Sequence, residues 1–243
     1  MTAVETRGLT KRYGKTTAVK DLSFTVGQGK LYALLGINGA GKTTTIKMLS
    51  CLTIPDGGEA LLLGESIRTP LRVKERIGVS PQETAVAPNL KVAENLELMC
   101  GINGDRRKEA KRKAAETIAA FGMEEIANKR AITLSGGWQR RLSVVMALIT
   151  EPDILFLDEP TLGLDVLARR ELWRVINGLK GRITIILTTH YLGEAEALAD
   201  RIGIMKAGEL IVEDTAEGMI QRTGAKNFED AFVELTMEEG IET

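Results

Sequence analysis

The segment Gly36-Ile37-Asn38-Gly39-Ala40-Gly41-Lys42-Thr43 follows the apolar run Leu31 to Leu35 and fits the spacing G-x-x-x-x-G-K-[S/T]. Glycines at these positions let the backbone turn tightly and aim successive N–H groups at phosphate oxygens. A helix from about Thr44 to Leu49 would add the positive end of its dipole. Lys42 is spaced to reach the β and γ phosphates of a nucleotide, and the Thr43 hydroxyl to ligate Mg²⁺. A second apolar run, Ile154 to Leu157, ends in Asp158-Glu159-Pro160. A buried parallel strand delivers its polar residues at its carboxyl end, so Asp158 is expected to face the metal and Glu159 to act as general base for water. Acids after an apolar run are a weak signal alone; together with the glycine loop they point to nucleotide hydrolysis.

The rest of the composition narrows the chemistry. The chain of 243 residues has one histidine, His190, so a site built from two or three histidines of one chain is excluded. With 32 Lys+Arg against 33 Asp+Glu and 4% aromatics, neither bulk charge nor stacking surface suggests nucleic-acid binding. The two cysteines, Cys51 and Cys100, form no Cys-x-x-Cys pair and are expected to be reduced, buried thiols of a cytoplasmic protein. The residues from Met1 to Lys11 lack the apolar core of a signal peptide. No apolar run reaches the roughly 18 residues that span a bilayer.

These residues need elements to hold them. Short β-type runs at Val4 to Leu9, Leu22 to Val26, Leu31 to Leu35 and Glu59 to Leu63 are punctuated by glycines and by the turn Pro55-Asp56-Gly57-Gly58. From about Leu90 to Thr150 the pattern becomes helical, notably over Lys108 to Phe121 and Gln139 to Ile149. Beyond it, strands at 154 to 157, 183 to 188 and 202 to 205 alternate with helices at 166 to 179 and 192 to 199, which predicts an α/β fold with a parallel sheet and a helical insertion. The basic residues from Arg106 to Lys113 are interspersed with Asp105, Glu109 and Glu116, so they read as a solvated helix face.

One further motif narrows the family. With Leu134-Ser135-Gly136-Gly137 ahead of Trp138-Gln139-Arg140-Arg141, the chain resembles the nucleotide-binding domain of ABC transporters. That resemblance implies a P-loop NTPase fold: a RecA-like parallel core with an N-terminal antiparallel β subdomain and an inserted helical subdomain at about 88–150. The whole of 1–243 would be a single ATP-binding domain ending in a short tail, 213–243. It also implies that Ser135 and the Gly136 and Gly137 amides form a second anion site, which meets the γ-phosphate held by a partner domain. ATP contacts would then come from Gly36, Asn38, Gly39, Ala40, Gly41, Lys42, Thr43 and Thr44. Tyr13 resembles the aromatic that stacks on adenine, Gln82 the glutamine that touches Mg²⁺ and the attacking water, Asp165 the loop that signals across the dimer, and His190 the switch histidine at the γ-phosphate. Thr43, Gln82 and Asp158 are the implied metal contacts, with ATP and Mg²⁺ as cofactors.

The implied partners are a second nucleotide-binding domain, identical or sister, and a membrane-spanning permease docked near Gln82 and Asn89 to Cys100. The protein would then sit peripherally on the inner face of the cell membrane. The wording of Ala33 to Thr45 and the Gly-Gly-x-x-Arg-Arg ending resemble the branch that exports drugs, antibiotics and lipids. Trp138 stands where the broader family often carries Gln or Glu, and either marks that branch or packs the start of its helix. Arg140 stands where many members have Gln. Two other functions compete: a soluble ABC ATPase of translation, DNA repair or cluster assembly, and a subunit that binds nucleotide without hydrolysing it. Doubled domains and long coiled-coil insertions, which mark the translation and chromosome types, are missing from the pattern. Glu159, Gln82 and His190 all being in place argues against lost hydrolysis.

Overall fold

A computed structural model describes residues 1–237. In chain order its elements are β1 (Thr2–Tyr13), β2 (Thr16–Gly27), β3 (Leu31–Leu35), α1 (Lys42–Leu49), β4 (Gly57–Leu62), β5 (Glu65–Ser66), α2 (Pro70–Lys74) and β6 (Ile77–Ser80). They continue with α3 (Val92–Ile102), α4 (Arg107–Ala120), α5 (Gly136–Leu148), β7 (Ile154–Asp158), α6 (Val166–Asn177) and β8 (Thr184–Thr189). Last come α7 (Leu192–Leu198), β9 (Arg201–Lys206), β10 (Glu209–Asp214), α8 (Ala216–Thr223) and α9 (Phe228–Met237). The chain divides into two compact units, residues 1–75 with 180–243 and residues 76–179.

In the first unit, β1 and β2 form a hairpin in an antiparallel sheet of order β2-β1-β4-β5. Its strands alternate as a one-sided sheet must: Val19, Leu22, Phe24 and Val26 of β2 point inward between exposed neighbours. β3 is different, because all five of its residues are buried, as are all six of β8. β3 pairs in parallel with both β8 and β9, and strands covered on both faces read as continuous apolar runs. β10 adds an antiparallel edge to β9. Beyond β10, the described part of the tail carries the two helices α8 and α9. Phe228, Ala231 and Leu235 of α9 and Met219 of α8 pack with Ala33, Leu35, Ile202 and Ile204 of the sheet. Residues 238–243 of the expected tail lie outside the described residues.

The second unit joins a parallel strand pair to a helical core. β6 and β7 run side by side with Ile77 opposite Ile154 and Ser80 opposite Leu157. α3, α4 and α5 bury Leu96, Cys100, Ala114, Ile118, Leu142 and Val145 against one another. The fully buried Asn95 pins the loop ahead of α3, accepting from Ala87 N–H at 2.8 Å and donating to the Lys91 carbonyl at 3.0 Å. The basic stretch is a solvated face, since Arg112 donates to Glu109 and Glu116 and Lys113 to Asp105 on and beside α4. Both cysteines are free thiols, Cys100 buried and Cys51 half-buried. Among the described residues no helix is long and apolar enough to cross a membrane.

Candidate nucleotide site

The glycine loop leaves the carboxyl end of β3 and enters α1 directly. Gly36 donates its N–H to the Thr189 carbonyl at 3.3 Å, tying the loop to the end of β8. A Cβ at Gly36 would lie 2.4 Å from the Met205 carbonyl oxygen, so only glycine fits there. Gly39 and Gly41 have φ of 84° and 103°, which L side chains seldom adopt, and Gly41 is the N-cap of α1. Lys42 is buried, and its ammonium donates to the carbonyls of Gly36 at 2.7 Å and Ile37 at 3.2 Å. The loop therefore curls around its own lysine. Thr45 Oγ1 donates back to the Gly41 carbonyl at 3.0 Å, while Thr43 and Thr44 occupy the first turn of α1.

Because β3 and β8 are parallel, with Leu35 opposite Thr189, His190 emerges at the same edge as Gly36. Its ring lies tilted against Tyr191, with centroids 4.2 Å apart. Tyr13 closes β1 with half its surface exposed, so a ring face is available for stacking, and the Lys11 ammonium is 5.4 Å from its centroid.

In the second unit, Asp158 ends β7 and is buried, and Glu159 follows it at 5% exposure. Glu159 has φ 49°, the left-handed region, which costs a non-glycine residue about 1–3 kcal/mol. Ser80 pairs opposite Leu157, so the exposed Gln82 leaves β6 at the edge where Glu159 leaves β7. The helix after the Leu134-Ser135-Gly136-Gly137 turn, the signature turn, begins earlier than its apolar periodicity indicates: α5 starts at Gly136, with Ser135 as N-cap accepting from Trp138 N–H at 3.4 Å. A Cβ on Gly137 would meet Ala168 Cβ of α6 at 2.9 Å. Asp165 is the N-cap of α6, its carboxylate accepting from the Leu167 and Ala168 amides at 2.9 Å each. Trp138 packs against the helical core, with the Arg141 guanidinium 4.9 Å from its ring. Burial lowers the Arg141 pKa from its ordinary value, opposed by the Glu171 carboxylate.

One residue of this unit carried only a departure from pattern in sequence. Arg140 is 4% exposed and donates to the backbone carbonyls of Asp158, Pro160, Pro81 and Gln82. Its signal was present: Arg140 shares the i, i+3, i+4, i+7 face of α5 with the buried Ser143, Val144 and Ala147. The structure thus assembles the glycine loop and His190 in one unit, and Asp158, Glu159, Gln82 and the signature turn in the other.

A phosphate loop between a buried parallel strand and a helix, with acids ending another such strand, defines a P-loop ATPase. The chain belongs to the ABC transporter family, whose profile matches residues 19–162. It is 43% identical over 215 residues to the daunorubicin/doxorubicin resistance ATP-binding protein DrrA of Streptomyces peucetius, covering 88% of this chain and 65% of that one. The probable multidrug ABC transporter ATP-binding protein YbhF of Escherichia coli is 38% identical, with 96% of this chain but 42% of the relative covered. The chain thus spans less than two thirds of the length of either. Against the linearmycin resistance ATP-binding protein LnrL of Bacillus subtilis it is 38% identical, over 96% of this chain and 75% of the relative. Among solved structures it is similar to the ATP binding subunit of an ABC transporter, at TM-score 0.84 and 28% identity over 96% of this chain and 99% of the other. A dimeric ATP-binding cassette bound to ADP and Pi superposes at TM-score 0.78 and 25% identity, over 87% and 98% of the two chains.

Proposed function

We propose that this chain binds and hydrolyses MgATP as the ATP-binding subunit of an ABC exporter, pairs head to tail with a second nucleotide-binding domain, and drives a separate membrane-spanning partner. In this reading residues 1–243 act as one ATP-binding domain. The observation that carries it is the glycine loop wrapped on Lys42, in a chain whose relatives are named for drug and antibiotic resistance.

The phosphates replace the Gly36 and Ile37 carbonyls as partners of Lys42, and the amides of residues 38 to 44 bind their oxygens. Tyr13 stacks on the adenine. Glu159 takes a proton from water as the water oxygen bonds to the γ-phosphorus and the bond to the β,γ-bridging oxygen breaks. His190 contacts the γ-phosphate and Gln82 orients the water. Ser135, Gly136 and Gly137 serve the nucleotide held by the partner domain, and Asp165, while capping α6, faces the dimer. A Thr hydroxyl, an Asp carboxylate and a Gln amide are hard oxygen donors suited to Mg²⁺, so Thr43, Asp158 and Gln82 would hold it. When bound, the ion neutralises charge on the β and γ phosphates. Docking of the permease near Gln82 and Asn89 to Cys100 would place the chain on the inner face of the membrane.

Two variants test the reading. Glu159→Gln should bind ATP at wild-type affinity, lose turnover and accumulate as a nucleotide-bound dimer; normal turnover removes Glu159 as the base. Lys42→Ala removes a charge-assisted bond worth about 1.5–3 kcal/mol, so ATP should bind about 10- to 100-fold more weakly. Unchanged affinity would contradict the phosphate loop.

A further inference from the structure

Glu159 sits in a backbone conformation that a glutamate seldom occupies, and such a conformation persists only where its surroundings over-determine it. The carbonyls of the residues before and after it both accept hydrogen bonds from one buried side chain. Arg140 Nη2 donates to the Asp158 carbonyl at 2.7 Å and Nε to the Pro160 carbonyl at 2.8 Å. The third nitrogen of the same planar group, Nη1, donates to the Pro81 carbonyl and, at 3.1 Å, to that of Gln82. One rigid fork thus joins the start of the signature helix, the segment carrying Glu159 and the loop carrying Gln82. On the far side of Glu159, the buried Thr161 Oγ1 has no hydrogen-bond partner among the described residues, so that hydroxyl does not anchor the segment.

We infer that Arg140 is a positioning residue for hydrolysis: its guanidinium holds Glu159 in its left-handed backbone geometry and keeps it in fixed relation to Gln82. Neither function needs Arg140 to touch nucleotide. The fork geometry matters as much as the charge, because an ammonium is a compact point donor that cannot reach three directions in one plane. Arg140 is the fifth residue of α5, whose N-cap is Ser135, so a displacement of the signature turn would be transmitted to the carbonyls on either side of Glu159. This inference rests on the hydrolytic role proposed for Glu159, but the bracing can be measured without it.

The test compares wild type with Arg140→Lys, and with Arg140→Gln should the lysine variant not fold. Hydrogen exchange of the full chain should quicken at the amides of Gln82 and Glu83 and of Asp158, Glu159 and Thr161, and stay unchanged at 36–43. In steady state kcat should fall by roughly tenfold or more, as small misplacements of catalytic groups do, while KM for ATP stays within about twofold. In a Glu159→Gln background, Arg140→Lys should change the residual single-turnover rate by less than about twofold, since the group it positions is gone. Unchanged exchange at 158–161 in a folded variant overturns the bracing. Preserved kcat, or a further tenfold loss in the Glu159→Gln background, overturns the positioning role. A wild type without ATPase activity would defeat the proposed function, and the exchange result would still decide the bracing.

Discussion

Gly36 and Gly39 belong to one loop yet should fail for different reasons when replaced by alanine. At Gly36 the obstacle is space: the added Cβ would lie 2.4 Å from the Met205 carbonyl oxygen and 3.1 Å from Ala40 Cβ. The first contact is with backbone of β9, which cannot rotate away as a side chain could. Overpacking of this kind costs about 1–3 kcal/mol, and a rigid neighbour puts Gly36→Ala near the upper end. At Gly39 an added Cβ meets nothing within 4 Å, and the obstacle is the φ of 84° alone. That left-handed term is about 1–2 kcal/mol. For a chain of this size 1 kcal/mol moves Tm by roughly 2–4 °C, so Gly36→Ala should melt about 6–12 °C lower and Gly39→Ala about 2–8 °C lower. Binding separates them further. Gly36 opens the loop whose amides are proposed to bind the phosphates, so shifting Gly36 displaces that cradle and should weaken ATP binding by about tenfold or more. Thermal melts with and without MgATP, together with fluorescent-nucleotide titration, would measure both effects. A Gly36→Ala variant that melts and binds like wild type, or a Gly39→Ala variant that costs more than Gly36→Ala, would overturn this distinction between space and backbone conformation.

Two further perturbations probe the first unit. Burial first, and the nearby Glu213 carboxylate second, hold the Tyr32 hydroxyl well above its ordinary pKa, and no hydrogen bond of regular geometry reaches the hydroxyl among the described residues. Tyr32→Phe should therefore be neutral or slightly stabilising at pH 7. The raised folded value means that the protonated phenol stabilises the fold fully below about pH 10 and loses that contribution as pH rises toward the folded pKa. Denaturant titrations from pH 7 to 11 should show wild type losing stability faster than the variant above about pH 10, and parallel losses would refute the assignment. Phe228→Ala empties a core position of 1% exposure, which should cost about 3–5 kcal/mol, or roughly 6–20 °C in Tm. A loss under about 1 kcal/mol by calorimetry would mean that α9 does not share the core with β3 and β9.

The elements nearest the phosphate loop were legible because their signals are local. An apolar strand, a glycine turn and a helix start occupy consecutive residues, and the loop's hydrogen bonds mostly close within six residues, as Lys42 to Gly36 does. Strands β3, β7 and β8 were equally plain, since burial on both faces demands unbroken apolar runs. The helices α8 and α9 were not legible as structure, because their apolar positions acquire meaning only against Ile202 and Ile204 of β9. Nor was β6, four residues long, distinguishable from a loop before β7 lay beside it.

Sequence by itself determined which chemistry was possible: a lysine in a glycine cradle, an acidic pair after a fully apolar strand, a single histidine. Tertiary structure alone decided how those groups are held. Arg140 finds its acceptors 18 to 59 residues away, and the left-handed φ of Glu159 is a property of the fold around it. The physical reason is range. Backbone turns and periodic burial are set by neighbours along the chain, whereas a buried guanidinium must find carbonyls wherever packing leaves them, and no local pattern records which those are.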